Sequence, residues 1–158
     1  MLLLRSIFFT FLLPGTVTVL IPIWILSARD VDSAHNWIRF SGLPLLFIGA
    51  AGLLWCIWQF FSEGRGTLAP VDPPKDLVVR GLYKYVRNPM YVSVAAILIG
   101  EAILFVSSAI LIETAIFGLA VYLFVVFYEE PTLRRQFGEA YERYARKVGR
   151  WIPRIRTN

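Results

Sequence analysis

Long apolar segments alternate with shorter polar ones along the chain. Residues 6–27 and 40–62 carry no charge, and residues 88–128 contain only two charged side chains, both glutamates. A helix needs about 20 apolar residues to cross a bilayer, and residues 88–128 in one helix would reach about 60 Å, roughly twice the hydrocarbon thickness. That segment must therefore fold back, and Ser107-Ser108 near its middle is the predicted turn.

We therefore predict an all-α, polytopic membrane protein with four transmembrane helices over residues 6–27, 40–62, 89–106 and 109–128. The last two helices form a hairpin. Residues 63–88 form a cytoplasmic loop and residues 129–158 a cytoplasmic tail, all within a single domain of residues 1–158.

The pattern changes after residue 128. A tail helix is predicted to start at Pro131 and to end near Gly149, because apolar residues recur there at steps of three and four. These residues are Leu133, Phe137, Tyr141, Tyr144 and Val148. We expect this amphipathic helix to lie on the membrane surface or over the cytoplasmic loop.

Composition and charge agree with a membrane protein. The chain is 57% hydrophobic and 17% charged, which excludes disorder. Its net charge of +5 is distributed unevenly, since only Arg29 and Arg39 among the 16 basic residues fall outside the predicted cytoplasmic segments. The positive-inside rule then places both termini in the cytoplasm and explains the basic excess without nucleic acid. A bacterial inner membrane and the endoplasmic reticulum fit equally well, and the oligomeric state is open.

The sequence contains few histidine or cysteine residues that could bind a metal or form a disulfide. His35 is the single histidine and Cys56 the single cysteine, so neither a histidine cluster, a multi-cysteine zinc site nor an intrachain disulfide is expected.

Several polar features in the loop and tail have both a structural and a functional interpretation. Gly64-x-Gly66 either caps a helix or lets a ligand approach bare backbone. Asn88-Pro89 is typical of an N-cap followed by the first helical residue. Glu129-Glu130 is predicted at the C-terminus of the fourth helix, where two carboxylates oppose the helix dipole and repel each other. A bound cation or the neighbouring Arg134 and Arg135 are the candidate partners.

Two more carboxylates, Glu101 and Glu113, flank the predicted turn of the hairpin. The hairpin brings them close together, on the side of the membrane opposite the motif-rich loop. A structural role, with hydrogen bonds across the hairpin, is the expectation, and a functional role is the alternative.

Two separated segments resemble the isoprenylcysteine carboxyl methyltransferase and phospholipid methyltransferase family of integral membrane enzymes. The first is residues 77–91, with the sequence LVVRGLYKYVRNPMY. The second is residues 129–144, a pattern of Glu129-Glu130, Leu133, Phe137-Gly138, Tyr141 and Tyr144, followed by Ile152-Pro153. The resemblance covers roughly residues 60–154.

This resemblance implies methyl transfer from S-adenosylmethionine to an acceptor embedded in the lipid. It implies a catalytic role for Glu129 and Glu130, near both cofactor and acceptor. It also implies a set of residues around the cofactor: Gly64, Gly66, Lys75, Asp76, Leu77, Val78, Tyr83, Asn88, Pro89, Met90 and Tyr91.

The acceptor is not fixed by the resemblance. Prenylcysteine enzymes typically have His at the position of Asn88 and Arg at that of Val125, whereas the phospholipid branch has Asn at the first. A phospholipid amine or another lipid acceptor is therefore favoured. Carboxyl methylation of prenylcysteine is the alternative within enzymes, and a non-catalytic four-helix membrane subunit is the alternative of another class.

Overall fold

The computed structural model describes residues 14–28, 37–63, 77 and 79–154. Over these ranges the chain is helical, with no β-strand. A π-helical turn, Thr16–Leu20, leads into α1 (Ile21–Ser27), and a 3₁₀ turn, Trp37–Ser41, leads into α2 (Gly42–Glu63).

The second half of the chain contains the hairpin and the tail. A 3₁₀ turn, Gly81–Lys84, precedes α3 (Pro89–Leu104), and α4 (Ser108–Phe124) follows after a short turn. A π-helical segment, Val125–Glu129, joins α4 to α5 (Glu130–Phe137), and α6 (Glu139–Lys147) ends the regular structure.

Helices α2 and α3 pack closely because glycines remove side chains from their contact. A Cβ atom on Gly49 would lie 2.7 Å from the carbonyl oxygen of Ser93, and one on Gly100 would lie 2.7 Å from the backbone nitrogen of Leu46. Small residues are the usual means of close helix contact in a membrane, where lipid offers no hydrophobic drive. The core of the bundle lies beside this contact and consists of Leu53, Val94, Ile97 and Leu98.

The predicted turn of the hairpin is confirmed. Helix α3 ends at Leu104, Val106 adopts a positive φ of 50°, and the Ser107 hydroxyl accepts a hydrogen bond of 3.3 Å from the Ile110 backbone N–H. Ser107 is thus the N-cap of α4, in agreement with the helix-capping preference of serine.

The expectation that Glu129-Glu130 lies at a helix C-terminus is wrong. The helix that begins at Ser108 continues through the pair to Phe137. Pro131 has no N–H to donate, and just before it the Glu130 N–H bonds to the carbonyl of Val125, five residues back. This wider turn lets the helix pass the proline without ending.

The predicted single tail helix is interrupted. Gly138 has φ 49° and ψ −124°, a conformation that glycine alone adopts without strain, and it separates α5 from α6. The predicted apolar stripe is nevertheless buried, because Tyr141, Tyr144 and Val148 form a second small core. Leu77, Leu133, Phe137 and Ala145 pack against it.

The outer faces of the helices are apolar. Trp24, Trp55, Trp58, Ile112 and Phe127 are each more than half exposed. Two helices, Trp37–Gln59 and Ser108–Phe137, are long and apolar enough to cross a bilayer, and Thr16–Ser27 and Pro89–Leu104 are shorter apolar helices. Such broad apolar exposure is costly in water and normal in lipid.

Candidate functional site

Glu129 and Tyr91 meet where α3 begins and α4 passes into α5. The Tyr91 hydroxyl donates a hydrogen bond of 3.2 Å to Glu129 Oε2, across 38 residues of sequence. This contact brings together the two segments that resemble the methyltransferase family, residues 77–91 and 129–144. Trp151 packs beside Tyr91, with ring centroids 6.5 Å apart.

Tyr83 supplies a second phenol to the same region. It lies in the 3₁₀ turn before α3, and its backbone carbonyl accepts a hydrogen bond of 2.7 Å from the Tyr144 hydroxyl. Burial raises the pKa of Tyr83 well above its usual value, and the nearby Glu129 carboxylate raises it further. Tyr83 therefore remains a neutral hydroxyl close to the Glu129 carboxylate.

Glu130 has a different environment from its neighbour. Arg150 approaches it in a bidentate arrangement, with Nε 2.6 Å from Oε1 and Nη2 3.0 Å from Oε2. Arg87 Nη1 lies 3.0 Å from Oε1 and also donates to the Tyr141 hydroxyl at 3.1 Å. Glu130 is only 5% exposed. The hydrogen bond to Glu130 raises the pKa of Arg150 above its usual value, so the guanidinium stays charged.

Backbone contacts extend this ion-pair cluster, which we call the Glu130 clasp (Glu130, Arg87 and Arg150). The Arg87 N–H donates to the Gly149 carbonyl at 2.8 Å, and Val86 pairs with Gly149 in a parallel β-bridge. The Asn88 side-chain amide donates to the Arg150 carbonyl at 3.3 Å. The clasp thus fastens the tail to the start of α3.

The expected partners of the carboxylate pair were partly wrong. Arg134 is paired with Glu142 at 3.4 Å, and Arg135 donates to the carbonyl of Pro131. Among the described residues, neither forms a hydrogen bond or ion pair with Glu129 or Glu130, and both are exposed. Asn88 does precede α3 as predicted, but its side chain makes no capping hydrogen bond.

The remaining predicted site residues divide into two groups. Pro89 and Met90 form the first turn of α3, where Pro89 is buried, and Leu77 packs against the second core. Gly64, Gly66, Lys75, Asp76 and Val78 lie outside the described residues. Their expected contact with a cofactor stays a prediction.

Sequence reasoning missed Arg150, Tyr141 and Tyr144 as members of this region. Arg150 is 20 residues from Glu130 and 63 from Arg87, so no local pattern connects them. The signals for the tyrosines were their place on the apolar stripe and in the family pattern, and neither indicates what their hydroxyl groups bond to.

The geometry leaves one carboxylate available for chemistry. Both guanidinium groups of the clasp are engaged by Glu130, whereas within the described part of the chain Glu129 bonds to a phenol and forms no ion pair. A carboxylate among Tyr83, Tyr91 and Trp151 suits a positively charged ligand, since aromatic faces also attract cations.

The fold and the site together define a membrane protein with a cluster of polar side chains at the ends of its apolar helices. The sequence profile of the phospholipid methyltransferase family matches residues 37–140, which is more than half of the chain. The chain therefore belongs to the phospholipid methyltransferase family, and its class of activity is methyl transfer at a membrane. No curated protein matches the chain closely enough to add a named relative.

Proposed function

We propose that this protein transfers a methyl group from S-adenosylmethionine to the amine of a membrane phospholipid. The observation that carries the proposal is the Glu129 carboxylate, which is bonded to Tyr91 and close to Tyr83 but pairs with no cation among the residues described. Membership of the phospholipid methyltransferase family supports both the reaction class and a lipid acceptor.

The proposal includes a topology. Four transmembrane helices cross the bilayer, both termini are cytoplasmic, and the charged face of the tail helix contacts lipid headgroups. The support is the distribution of Lys and Arg and the apolar outer faces of the helices. This arrangement puts the Glu129 region at the cytoplasmic membrane surface.

The side chains around Glu129 fit S-adenosylmethionine by charge. Its sulfonium and ammonium groups need anionic or aromatic partners, and Glu129 with Tyr83 and Tyr91 offers both. The proposed binding set also includes Leu77, Asn88, Pro89 and Met90, and, from the loop, Gly64, Gly66, Lys75, Asp76 and Val78. When bound, the cofactor supplies a methyl group on a positively charged sulfur atom.

Glu129 is proposed to accept a proton from the acceptor amine. An ammonium headgroup has no lone pair for attack, so one N–H proton must leave before the nitrogen–carbon bond forms and the carbon–sulfur bond breaks. Glu129 Oε1 is the oxygen not bonded to Tyr91, and the Tyr91 hydroxyl fixes the orientation of the carboxylate. General base catalysis of this type contributes about 10²–10⁴-fold.

Glu130 is proposed to position rather than to react. Its two oxygens are occupied by Arg87 and Arg150, and it is almost fully buried. By fastening the tail to α3, it holds Trp151 beside Tyr91 and keeps the neighbouring Glu129 in place.

An amine acceptor also agrees better with the local charge than a carboxylate does. Val125, one turn before Glu129, is 1% exposed and offers no positive charge, while the Glu129 carboxylate would repel an anionic reacting group. Carboxyl methylation of a prenylcysteine is therefore disfavoured at this position.

The direct test is a methyltransfer assay with purified protein in lipid vesicles. Labelled S-adenosylmethionine is supplied with phosphatidylethanolamine or, separately, with a farnesylcysteine analogue. We expect label in the phospholipid, and efficient labelling of the farnesylcysteine carboxylate would overturn the choice of acceptor. Absence of both products, together with no binding of S-adenosylmethionine, would favour the non-catalytic subunit.

A matched pair of variants tests the role of Glu129. Glu129→Gln keeps the size and the hydrogen-bonding oxygen but cannot accept a proton, so we expect turnover to fall about 10²–10⁴-fold. Glu139→Gln makes the same change on an exposed carboxylate of α6 and should leave turnover unchanged. Equal turnover of the two variants would show that Glu129 is not the base of the reaction.

A further inference from the structure

A cavity of about 490 Å³ lies on the tail side of the Glu130 clasp. Three arginines and a short apolar segment line it: Arg87, Gly149, Arg150, Trp151, Ile152, Pro153 and Arg154. It is shallow and largely open to solvent rather than enclosed. All of these residues except Arg87 follow residue 140, where the family match ends.

The charge of the cavity is positive even after its internal ion pairs are counted. Three guanidinium groups line it, and Glu130 is the one carboxylate bonded to them within the described part of the chain. Arg154 is exposed and donates to the backbone carbonyl of Arg146, and within the described part of the chain it forms no ion pair. The net positive charge of the cavity therefore favours an anionic ligand.

Unused hydrogen-bond donors point to the same ligand class. The Arg87 side chain is 10% exposed, and its Nε atom is buried with no hydrogen-bond partner. Arg150 uses Nε and Nη2 for Glu130, so its Nη1 donors are available. Charge-assisted hydrogen bonds from guanidinium groups to oxygen anions are among the strong ones in proteins, so the Arg150 donors at the cavity favour an oxygen-rich anion.

The apolar residues of the cavity indicate what kind of molecule carries such an anion. Ile152 is 76% exposed beside the three arginines, and Trp151 packs against Tyr91, the partner of Glu129. Two of the lining arginines, Arg87 and Arg150, also bind Glu130, which follows Glu129 directly in the chain, so the cavity and the Glu129 carboxylate adjoin consecutive residues of one helix. In an ethanolamine phospholipid, two carbon atoms separate the amine nitrogen from the phosphate ester oxygen.

We propose that Arg87, Arg150 and Arg154 form a subsite for the phosphodiester of the acceptor lipid. This inference rests on the proposed function, because it places the acceptor amine at Glu129 and its phosphate in the arginine cavity. The subsite selects amines that carry a neighbouring phosphate over simple long-chain amines.

Arg154→Gln tests the subsite without breaking the clasp, since Arg154 makes no contact with Glu130. Binding is measured on detergent-purified protein with dihexanoyl phosphatidylethanolamine as the lipid probe, and S-adenosylmethionine is measured separately. We expect the variant to bind the lipid about 5- to 10-fold more weakly, with unchanged affinity for S-adenosylmethionine. Arg154→Lys, which keeps the charge, should restore most of the binding.

Arg143→Gln is the matched control, because Arg143 is an exposed arginine of α6 whose ion pair with Glu139 lies outside the cavity. It should bind lipid like the unmodified protein. An equal loss of lipid binding in both variants would show that the effect comes from general surface charge and would contradict the subsite. Weaker binding of S-adenosylmethionine in Arg154→Gln would instead assign the subsite to the cofactor carboxylate and overturn the proposal.

Two further experiments identify the source of the anion and distinguish failure of the subsite from failure of the proposed function. Inorganic phosphate should compete only weakly with the lipid probe, and full displacement at equal concentration would indicate a site for free phosphate. In the methyltransfer assay, the unmodified protein should prefer phosphatidylethanolamine to sphingosine, and Arg154→Gln should lose that preference. Lipid binding that depends on Arg154 without any methyl transfer would retain the subsite and reject the proposed function.

Discussion

The molecule contains two pairs of glutamates at opposite ends of the same helical hairpin, and their surroundings differ. At the end where α3 begins, Glu129 bonds to Tyr91 and Glu130 to Arg87 and Arg150. At the turn, Glu101 Oε2 and both carboxyl oxygens of Glu113 are buried without a hydrogen-bond partner. The expected hydrogen bonds across the hairpin from Glu113 are therefore not formed.

The difference shows that a carboxylate becomes part of a site only when other segments bring partners to it. The loop before α3 and the tail after α6 both reach the Glu129–Glu130 end and supply phenols and guanidinium groups. The turn between α3 and α4 is only three residues long and brings no positive charge to Glu101 or Glu113 in the described structure. Substitutions should therefore lower stability or turnover at the Glu129–Glu130 end, whereas at the turn they should leave turnover unchanged and leave stability nearly unchanged or higher.

The largest effect on stability is expected at the clasp. Glu130→Ala leaves Arg87 and Arg150 facing each other with little solvent, and breaking a buried ion pair from one side costs about 3–5 kcal/mol. The measurement is the denaturant midpoint of unfolding in detergent. Glu142→Ala removes the carboxylate of the exposed pair with Arg134 and should cost less than about 1 kcal/mol. A similar loss of unfolding free energy in the two variants would show that the Glu130 clasp stabilises the fold no more than an exposed ion pair does.

A smaller effect is expected from the hydroxyl that orients Glu129. Tyr91→Phe removes a hydrogen bond to a carboxylate, worth about 1.5–3 kcal/mol, so the turnover number should fall about 10- to 100-fold. The readout is the initial rate of methyl transfer to phosphatidylethanolamine at saturating S-adenosylmethionine. Tyr85→Phe, on an exposed tyrosine of the same loop, should keep the full rate. A fully active Tyr91→Phe enzyme would show that the tyrosine merely packs.

The smallest effect is expected at the turn. Glu101→Gln and Glu113→Gln remove charge from groups that lack partners, so unfolding free energy should stay within about 1 kcal/mol or rise. Turnover should not change, because the turn is at the far end of the hairpin from Glu129. Loss of activity in either variant would assign the hairpin pair a functional role and reverse the comparison.

Much of the framework follows from local sequence. A run of apolar residues must be helical in lipid because no water is present to satisfy the backbone, and a charge-free segment twice the bilayer thickness must turn. These constraints located the turn at Ser107 and the start of α3 at Pro89, and both are present. The spacing of Tyr141, Tyr144 and Val148 likewise predicted which tail residues are buried.

Local sequence failed where two structures were compatible with the same pattern. Pro131 after an apolar run is typical of a helix start, yet a π-helical turn carries the helix through it. The stripe from Leu133 to Val148 has helical spacing throughout, yet Gly138 at positive φ divides it into α5 and α6. In each case the pattern of apolar residues was compatible with both structures, and the backbone at one residue decided between them.

What the sequence determined by itself is the helical class, the turn of the hairpin and the family signature, because each depends on residues that are near one another in the chain. Only the tertiary structure decided the roles within the signature. Glu129 and Glu130 are adjacent and chemically identical, and they differ because Tyr91 docks against one and Arg87 and Arg150 against the other. Those partners come from segments 20 to 43 residues away, and a helix turns successive side chains by about 100°, so neighbours in sequence face different segments.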